Sequence, residues 1–372
     1  MHEEIVKVAT SLKRLNTGDY TALIGLDGFV DEIIHVVNQR YDANNYTRVK
    51  TISDFGQKIL RAAGLSTNIE MVPINIKLGG NGPILSEALA CAGLGVTYIG
   101  ALGRPNINEV FMPMAEKCTL ISIANPSHTD AVEFDDGKLI MSKTMVFNDV
   151  SWANIESEIG IPKLIDMIQS IDLFGLENWT MLPHMSNIWR HLLSDVLPLS
   201  DLADRQVKPL MFFDLADPEK RSKSDVHEAI NIIREFSTYF RVILGLNKKE
   251  ALEIAEIMDI SGAQDMDLQS LVWSVAMLLS LYCLVVHPVD CAAAVEGGRY
   301  YYTAGPYTPQ PKLTTGAGDN FNAGFCIGQI IGLSVHQSLI LGKAVSGFYV
   351  RNSKSPSFEE LLDFLEWWST QK

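Results

Sequence analysis

Seven short apolar runs, at 22–25, 96–100, 120–124, 173–176, 210–214, 242–246 and 284–286, recur with helical patterns between them, and this alternation limits the fold more than any other feature of the chain. A strand can pair in parallel with the next only after a crossover. The expected class is therefore α/β, with a mostly parallel central sheet and helices on both faces, three layers in all. Several runs end at or beside a polar residue: Asp27, Glu177, Asp214, Asn247 and His287. Ligands of open parallel sheets sit beyond the carboxyl ends of the strands, so chemistry should gather at these positions.

Two segments break the alternation. Residues from about 32 to 78 contain a polar stretch, 38–48, and an amphipathic helix pattern near 53–63 with Phe55, Ile59 and Leu60 on one side. From 129 to 150, the run 131–134, a turn at Asp135-Asp136-Gly137 and the run 139–146 read as a hairpin. Together they predict a small β lid over the sheet-end cleft, inserted into a single catalytic domain spanning 1–372. A lid would exclude water from whatever binds in the cleft.

A net charge of −14, from 30 Lys and Arg against 44 Asp and Glu, argues against a nucleic-acid or anionic-membrane binder. An anionic ligand would then have to be met by local groups rather than by a basic field. Cys91, Cys118, Cys283, Cys291 and Cys326 form no Cys-x-x-Cys pair, and an odd number suits no disulfide framework. With no signal-peptide pattern at the amino terminus, a reducing cytoplasm is the expectation. The longest apolar run, 271–286, is shorter than the ~20 residues a membrane helix needs and reads as a core helix running into a buried strand.

The chemistry concentrates at Gly316-Ala317-Gly318-Asp319, preceded by Thr314 and Thr315 and followed by a run to 331 that fits a buried helix. Such a helix start offers free backbone N–H groups, glycines that let a phosphate approach, and a positive dipole end. Asp319, in the first turn, could take a proton from a substrate hydroxyl while the N–H groups of Gly316, Ala317 and Gly318 stabilise the moving phosphoryl group. A bare Gly-x-Gly-Asp is also a glycine-rich turn with an aspartate cap. The longer run Gly316-Ala317-Gly318-Asp319-Asn320-Phe321-Asn322-Ala323-Gly324-Phe325 resembles the carboxy-terminal signature of the ribokinase-like (PfkB) carbohydrate kinases.

That resemblance implies a ribokinase-like fold, ATP as phosphate donor, Mg2+ and a small sugar or polyol as acceptor, with Asp319 as general base. It extends in order along the chain. Asp31 matches the aspartate with which the family holds substrate hydroxyls, and Asp27 falls where some branches have Asn. Gly79-Gly80-Asn81 resembles the first signature, with Asn81 as substrate contact. The family pattern departs at Ile84, where ribokinase-type members carry a substrate-binding Asn. Asn247-x-x-Glu250 resembles the motif that organises magnesium and phosphate largely through water, with Glu177 as a further acidic group. Thr315, with Gly316 and Gly318, is implied as a phosphate contact. Asp214-Leu215-Ala216-Asp217 resembles a segment near the nucleotide side, and Asn352 or Ser355 would face the adenine.

Two further departures change expectations. His287-Pro288-Val289-Asp290-Cys291-Ala292 replaces the usual Thr-x-Gly-x-x-Gly, removing glycines whose backbone contacts donor phosphates. Leu313 replaces an Asp that helps bind a monovalent cation, so potassium activation is not expected. The ADP-dependent sugar kinases and the nucleoside kinases of the same fold stay open, as does a ligand-binding regulator without turnover. Family habit suggests a homodimer through the lid.

Overall fold

The computed structural model describes residues 2–14 and 16–371. Its strands are β1 Thr21–Leu26, β2 Phe29–Arg40, β3 Tyr46–Arg48, β4 Met71–Gly79, β5 Gly95–Ala101, β6 Cys118–Ala124, β7 Ser127–Phe134, β8 Gly137–Ser142, β9 Leu173–Leu176, β10 Leu210–Asp214, β11 Arg241–Leu246, β12 Cys283–Val286, β13 Cys291–Glu296 and β14 Arg299–Ala304. Nine of them form one sheet in the order β14-β13-β12-β11-β10-β9-β1-β5-β6. Each of the seven apolar runs read from the sequence lies in it.

Pairing is parallel from β6 across to β12 and antiparallel through β13 and β14. The antiparallel edge was not read from the sequence. Gly297 and Gly298 take φ of 56° and 75°, a two-residue turn that joins β13 directly to β14 and leaves no room for a crossover helix.

The central strands are buried on both faces, which is why they read as continuous apolar runs. Successive residues then serve opposite cores: Phe213 packs with Trp189 and Phe236 on one face, Phe212 with Phe321 and Phe325 on the other. The second core holds the helix Ala317–Ile330, buried from Asp319 to Gln329. Its close neighbour is the helix Val335–Asn352. A Cβ on Gly324 would lie 2.8 Å from Gly342 Cα, so larger residues would push the two helices apart.

The smaller sheet runs β3-β2-β7-β8, with β4 also on β2. It is built from the two segments that break the alternation, with two differences. β2 starts at Phe29, only two residues beyond β1, so the chain leaves the carboxyl end of β1 straight into the second sheet. Gly28 permits this turn, since a Cβ there would collide with the Ala101 carbonyl. The second hairpin strand ends at Ser142 rather than running to 146, because Thr144–Asp149 folds into a 3-10 turn that buries Phe147. The amphipathic pattern forms the helix Ile52–Leu60, burying Phe55 against the small sheet and leaving Ile59 and Leu60 exposed. No helix is long and apolar enough to cross a membrane among the described residues.

Candidate active site

Four chain passages meet beyond the carboxyl ends of β1 and β9: the Asp27-Gly28 link, the β4 end at Gly79-Gly80, the Glu177-Asn178 turn and the Gly316 turn. Gly316 has φ 89°, and a Cβ there would lie 2.7 Å from the Tyr349 hydroxyl, so glycine is required both for conformation and for space. Tyr349 in turn donates to the Thr315 carbonyl at 2.8 Å, tying the turn to the helix Val335–Asn352.

Asp319 follows in the first turn of the helix. It is 7% exposed, and its Oδ1 accepts from Asn81 Nδ2 at 3.0 Å. Burial pushes its carboxyl up to about 7; the Asn81 hydrogen bond opposes that shift, and the charges of Asp27 and Glu250 add to it. The carboxylate makes no ion pair among the described residues. A carboxyl with this affinity exchanges its proton near neutral pH.

Two cavities adjoin this helix start. The larger, about 600 Å3, is lined on one side by Gly80, Asn81, Thr315, Gly316 and Asp319 and on the other by the small sheet's Asp31, Lys77, Thr129 and Lys138. The smaller, about 310 Å3, is lined by Asn247, His287, Thr314, Ala317, Gly318 and Lys343. The turn from Thr314 to Asp319 is their shared wall, with Thr315, Gly316 and Asp319 facing one side and Thr314, Ala317 and Gly318 the other.

Asp31 is held largely buried opposite Lys77, its cross-strand partner. Burial raises its carboxyl, and the Lys77 charge opposes this. Lys138 Nζ donates to Thr315 Oγ1 at 2.8 Å, so the small sheet reaches the glycine-rich turn directly. In the smaller cavity, Lys343 Nζ donates to the carbonyls of Pro288 and Val289 at 3.1 and 2.9 Å, holding the segment that lacks the usual glycines. The Nε2 of His287 is shielded from solvent and has no partner among the described residues.

Asp27, expected as a substrate contact, lies outside both cavities. It is fully buried, and its carboxylate accepts from Asn81 N and Gly82 N at 3.0 Å each, from Asn178 Nδ2 at 2.8 Å and from Tyr98 Oη at 3.2 Å. It caps the helix Asn81–Cys91 and ties it to β1 and the Glu177 turn. Gly79 is also outside the lining; it gives Asp31 the room a Cβ would take. Asn352 lies off the smaller cavity's lining, its amide donating to Phe348 O at 2.9 Å. Ser355 instead donates to Asn320 Oδ1 at 2.8 Å.

Glu250 lines neither cavity. Its two oxygens accept from Asn247 N at 2.8 Å and Asp217 N at 3.0 Å, the first as half of a capping box with Asn247. Glu177 is fully buried, and neither carboxylate oxygen has a partner among the described residues. Burial pushes its carboxyl far above the usual range, reinforced by Asp319, Asp214 and Asp27. Sequence reasoning missed Lys77, Lys138 and Lys343, which sit in no motif and reach a cavity wall only through the register of the small sheet or a long-range contact; it also passed over Asn178, which follows Glu177 at the end of β9.

The family model for prokaryotic ketohexokinase matches residues 6–368. A ketohexokinase of Haloferax volcanii is 28% identical over 345 residues, covering 92% of this chain and 90% of that protein. Among solved structures, Arabidopsis thaliana ribokinase, complexed with ribose and ATP, has a TM-score of 0.64 at 14% identity, over 93% of this chain and 98% of that one. Escherichia coli phosphofructokinase-2 scores 0.63 at 12% identity, over 94% and 99%. These structures share the fold, and the sequence match runs from the first helix to the last, so the chain belongs to the prokaryotic ketohexokinase family, within the ribokinase-like (PfkB) carbohydrate kinases, which are phosphotransferases with an alcohol as acceptor.

Proposed function

We propose that this kinase transfers a phosphoryl group from ATP to a hydroxyl of a ketohexose, with Asp319 as general base. The observation that carries the reading is the position of Asp319, at the amino end of a buried helix where two cavities share one wall. The larger cavity holds the sugar and the smaller one the nucleotide. Asp31 accepts hydrogen bonds from sugar hydroxyls, and Asn81 orients both the sugar and the Asp319 carboxylate. Asp319 takes the proton of the attacking hydroxyl at its free oxygen, while the N–H groups of Gly316, Ala317 and Gly318 stabilise charge on the transferring group. Lys138, bonded to Thr315, adds positive charge at the same wall.

The small sheet acts as a lid within one catalytic domain. It supplies Asp31, Lys77, Thr129 and Lys138 to the larger cavity, so closing it would expel water and complete the acceptor site together.

Magnesium fits the acidic residues as an ion held mostly through water. Among the described residues no three His, Cys, Asp or Glu side chains are grouped to ligate a metal directly, whereas Glu177 has two buried oxygens without partners. Glu177 would hold the hydrated ion, with Asn247 and the Glu250 box positioning its surroundings; when bound, the ion screens charge on the donor phosphates. Glu177→Gln is therefore expected to raise the Mg2+ concentration for half-maximal rate about 10-fold, the usual scale for groups that support a metal indirectly. A metal titration at saturating sugar measures this, and an unchanged midpoint would remove Glu177 from the role.

The functional reading is tested by a matrix of ATP and ADP against ketohexoses, aldoses and nucleosides, with phosphorylated product as readout. Product from ATP and a ketohexose is expected. Turnover confined to nucleosides, or to ADP, would replace the reading, and nucleotide binding without any product would mark a regulator.

A further inference from the structure

The turn after β9 carries a residue that no step above uses. Asn178 adopts φ 57°, a left-handed conformation that asparagine tolerates better than most residues, and its side chain is 1% exposed. Its Nδ2 donates to Asp27 Oδ2, and an ionised carboxylate only accepts, so this contact fixes which way the amide faces. Its Oδ1 is then left without any partner among the described residues, although Asn178 lines the larger cavity together with Asp31, Asn81 and Asp319. A buried carbonyl oxygen without a donor is costly, and no described group of the protein supplies one here. A sugar hydroxyl is a donor of the right size for this place.

We propose that Asn178 is a specificity-determining residue whose Oδ1 accepts a hydrogen bond from one hydroxyl of the acceptor sugar, so fixing which carbon presents its hydroxyl to Asp319. This rests on the larger cavity being the acceptor site. Asp27 acts here at one remove: it holds the amide, and the amide reads the sugar. A site that buries such an acceptor discriminates strongly against an analogue lacking the matching hydroxyl, because binding that analogue leaves the oxygen unpaired.

The test pairs the full-length wild type and Asn178→Gly with the ketohexose turned over and its single-deoxy analogues. Glycine takes positive φ without strain and removes only the amide. The wild type should lose about 10- to 100-fold in kcat/KM on one deoxy analogue, the range expected for one hydrogen bond in a buried site. The variant should lose a similar factor on the parent sugar and nothing further on that analogue, with the KM for nucleotide unchanged. A role in packing alone would lower all sugars equally and leave the wild-type deoxy pattern in place, and this result would overturn the inference while leaving the ketohexose reading intact. Failure of the wild type on every ketohexose would remove both. Should Asn178→Gly not fold, a crystal structure of the wild type with bound sugar decides the matter: a hydroxyl within about 3.2 Å of Oδ1 supports the assignment, and an Oδ1 facing no hydroxyl ends it.

Discussion

Asp319→Asn should lower turnover at least ~100-fold while the protein stays folded, in line with the usual contribution of a positioned general base. Asparagine keeps the shape and an acceptor for Asn81 Nδ2, so the loss isolates proton transfer. Turnover of the wild type should also fall as pH drops through about 7, since burial holds the Asp319 proton on to that value and only the ionised form can act as base. Stability should move the opposite way. The folded-state value lies above the ordinary 3.8, so the native state binds the proton more tightly than the unfolded chain. Its stabilising effect is complete below the unfolded value and lost as pH rises to about 7. Above that, the native state carries a buried charge that asparagine cannot acquire, so the variant should melt higher at pH 8, by roughly 2–4 °C for each kcal/mol regained. Kinetics across pH 5–9 and thermal melts at pH 5 and 8 measure both effects. Near-normal turnover in the variant would end the assignment of Asp319 as base.

Asp27→Ala is the largest expected loss of stability, about 3 kcal/mol net. The substitution strands two backbone N–H groups, of Asn81 and Gly82, and the Asn178 amide, each costing about 1–3 kcal/mol when buried without a partner. Burial does raise the Asp27 carboxyl to about 6, so at neutral pH its charge is itself held at some expense. That expense is roughly 1.4 kcal/mol for each tenfold gain in proton affinity and is smaller than the loss of every acceptor at once. Asp27→Asn, which keeps one oxygen, should lose less. Urea unfolding of the three proteins tests the ranking. Unchanged stability in Asp27→Ala together with a raised sugar KM would instead return Asp27 to the role of substrate contact that its position in the sequence suggested.

The contrast between Asp27 and Asp31 shows where sequence reasoning reaches its limit. Both are acidic, both follow β1 and they are four residues apart, yet one is a sealed structural hub and the other lines a cavity. The difference arises because Asp27 lies at the sheet end where the helix Asn81–Cys91 begins, whereas Asp31 lies on β2, paired in register with Lys77 of β4. Neither relation is encoded locally. The Asn247–Glu250 pair is the converse case: the sequence offered it for magnesium and phosphate, and the structure adds a capping box, a contact local enough for spacing to allow because the partners are three residues apart on one helical turn.

The β13–β14 edge was legible in principle, since Gly297-Gly298 between two short runs of strand length is a hairpin signal. Lys138 and Lys343 were not. Their neighbours in sequence carry no chemistry, and they reach cavity walls through partners 177 and about 55 residues away.

By itself the sequence determined the parallel sheet, the buried helix after Gly316 and the placing of Asp319 in its first turn, because each follows from apolar periodicity, glycine conformation and helix capping within about twenty residues. Tertiary structure alone decided that Asn81 meets Asp319 across 238 residues, that Asp31 shares a cavity with both, and that Asn178, whose buried Oδ1 has no partner among the described residues, lines the same cavity. Those contacts depend on how the small sheet pairs and where two distant helices start, and pairing between remote segments leaves no periodic trace in either one.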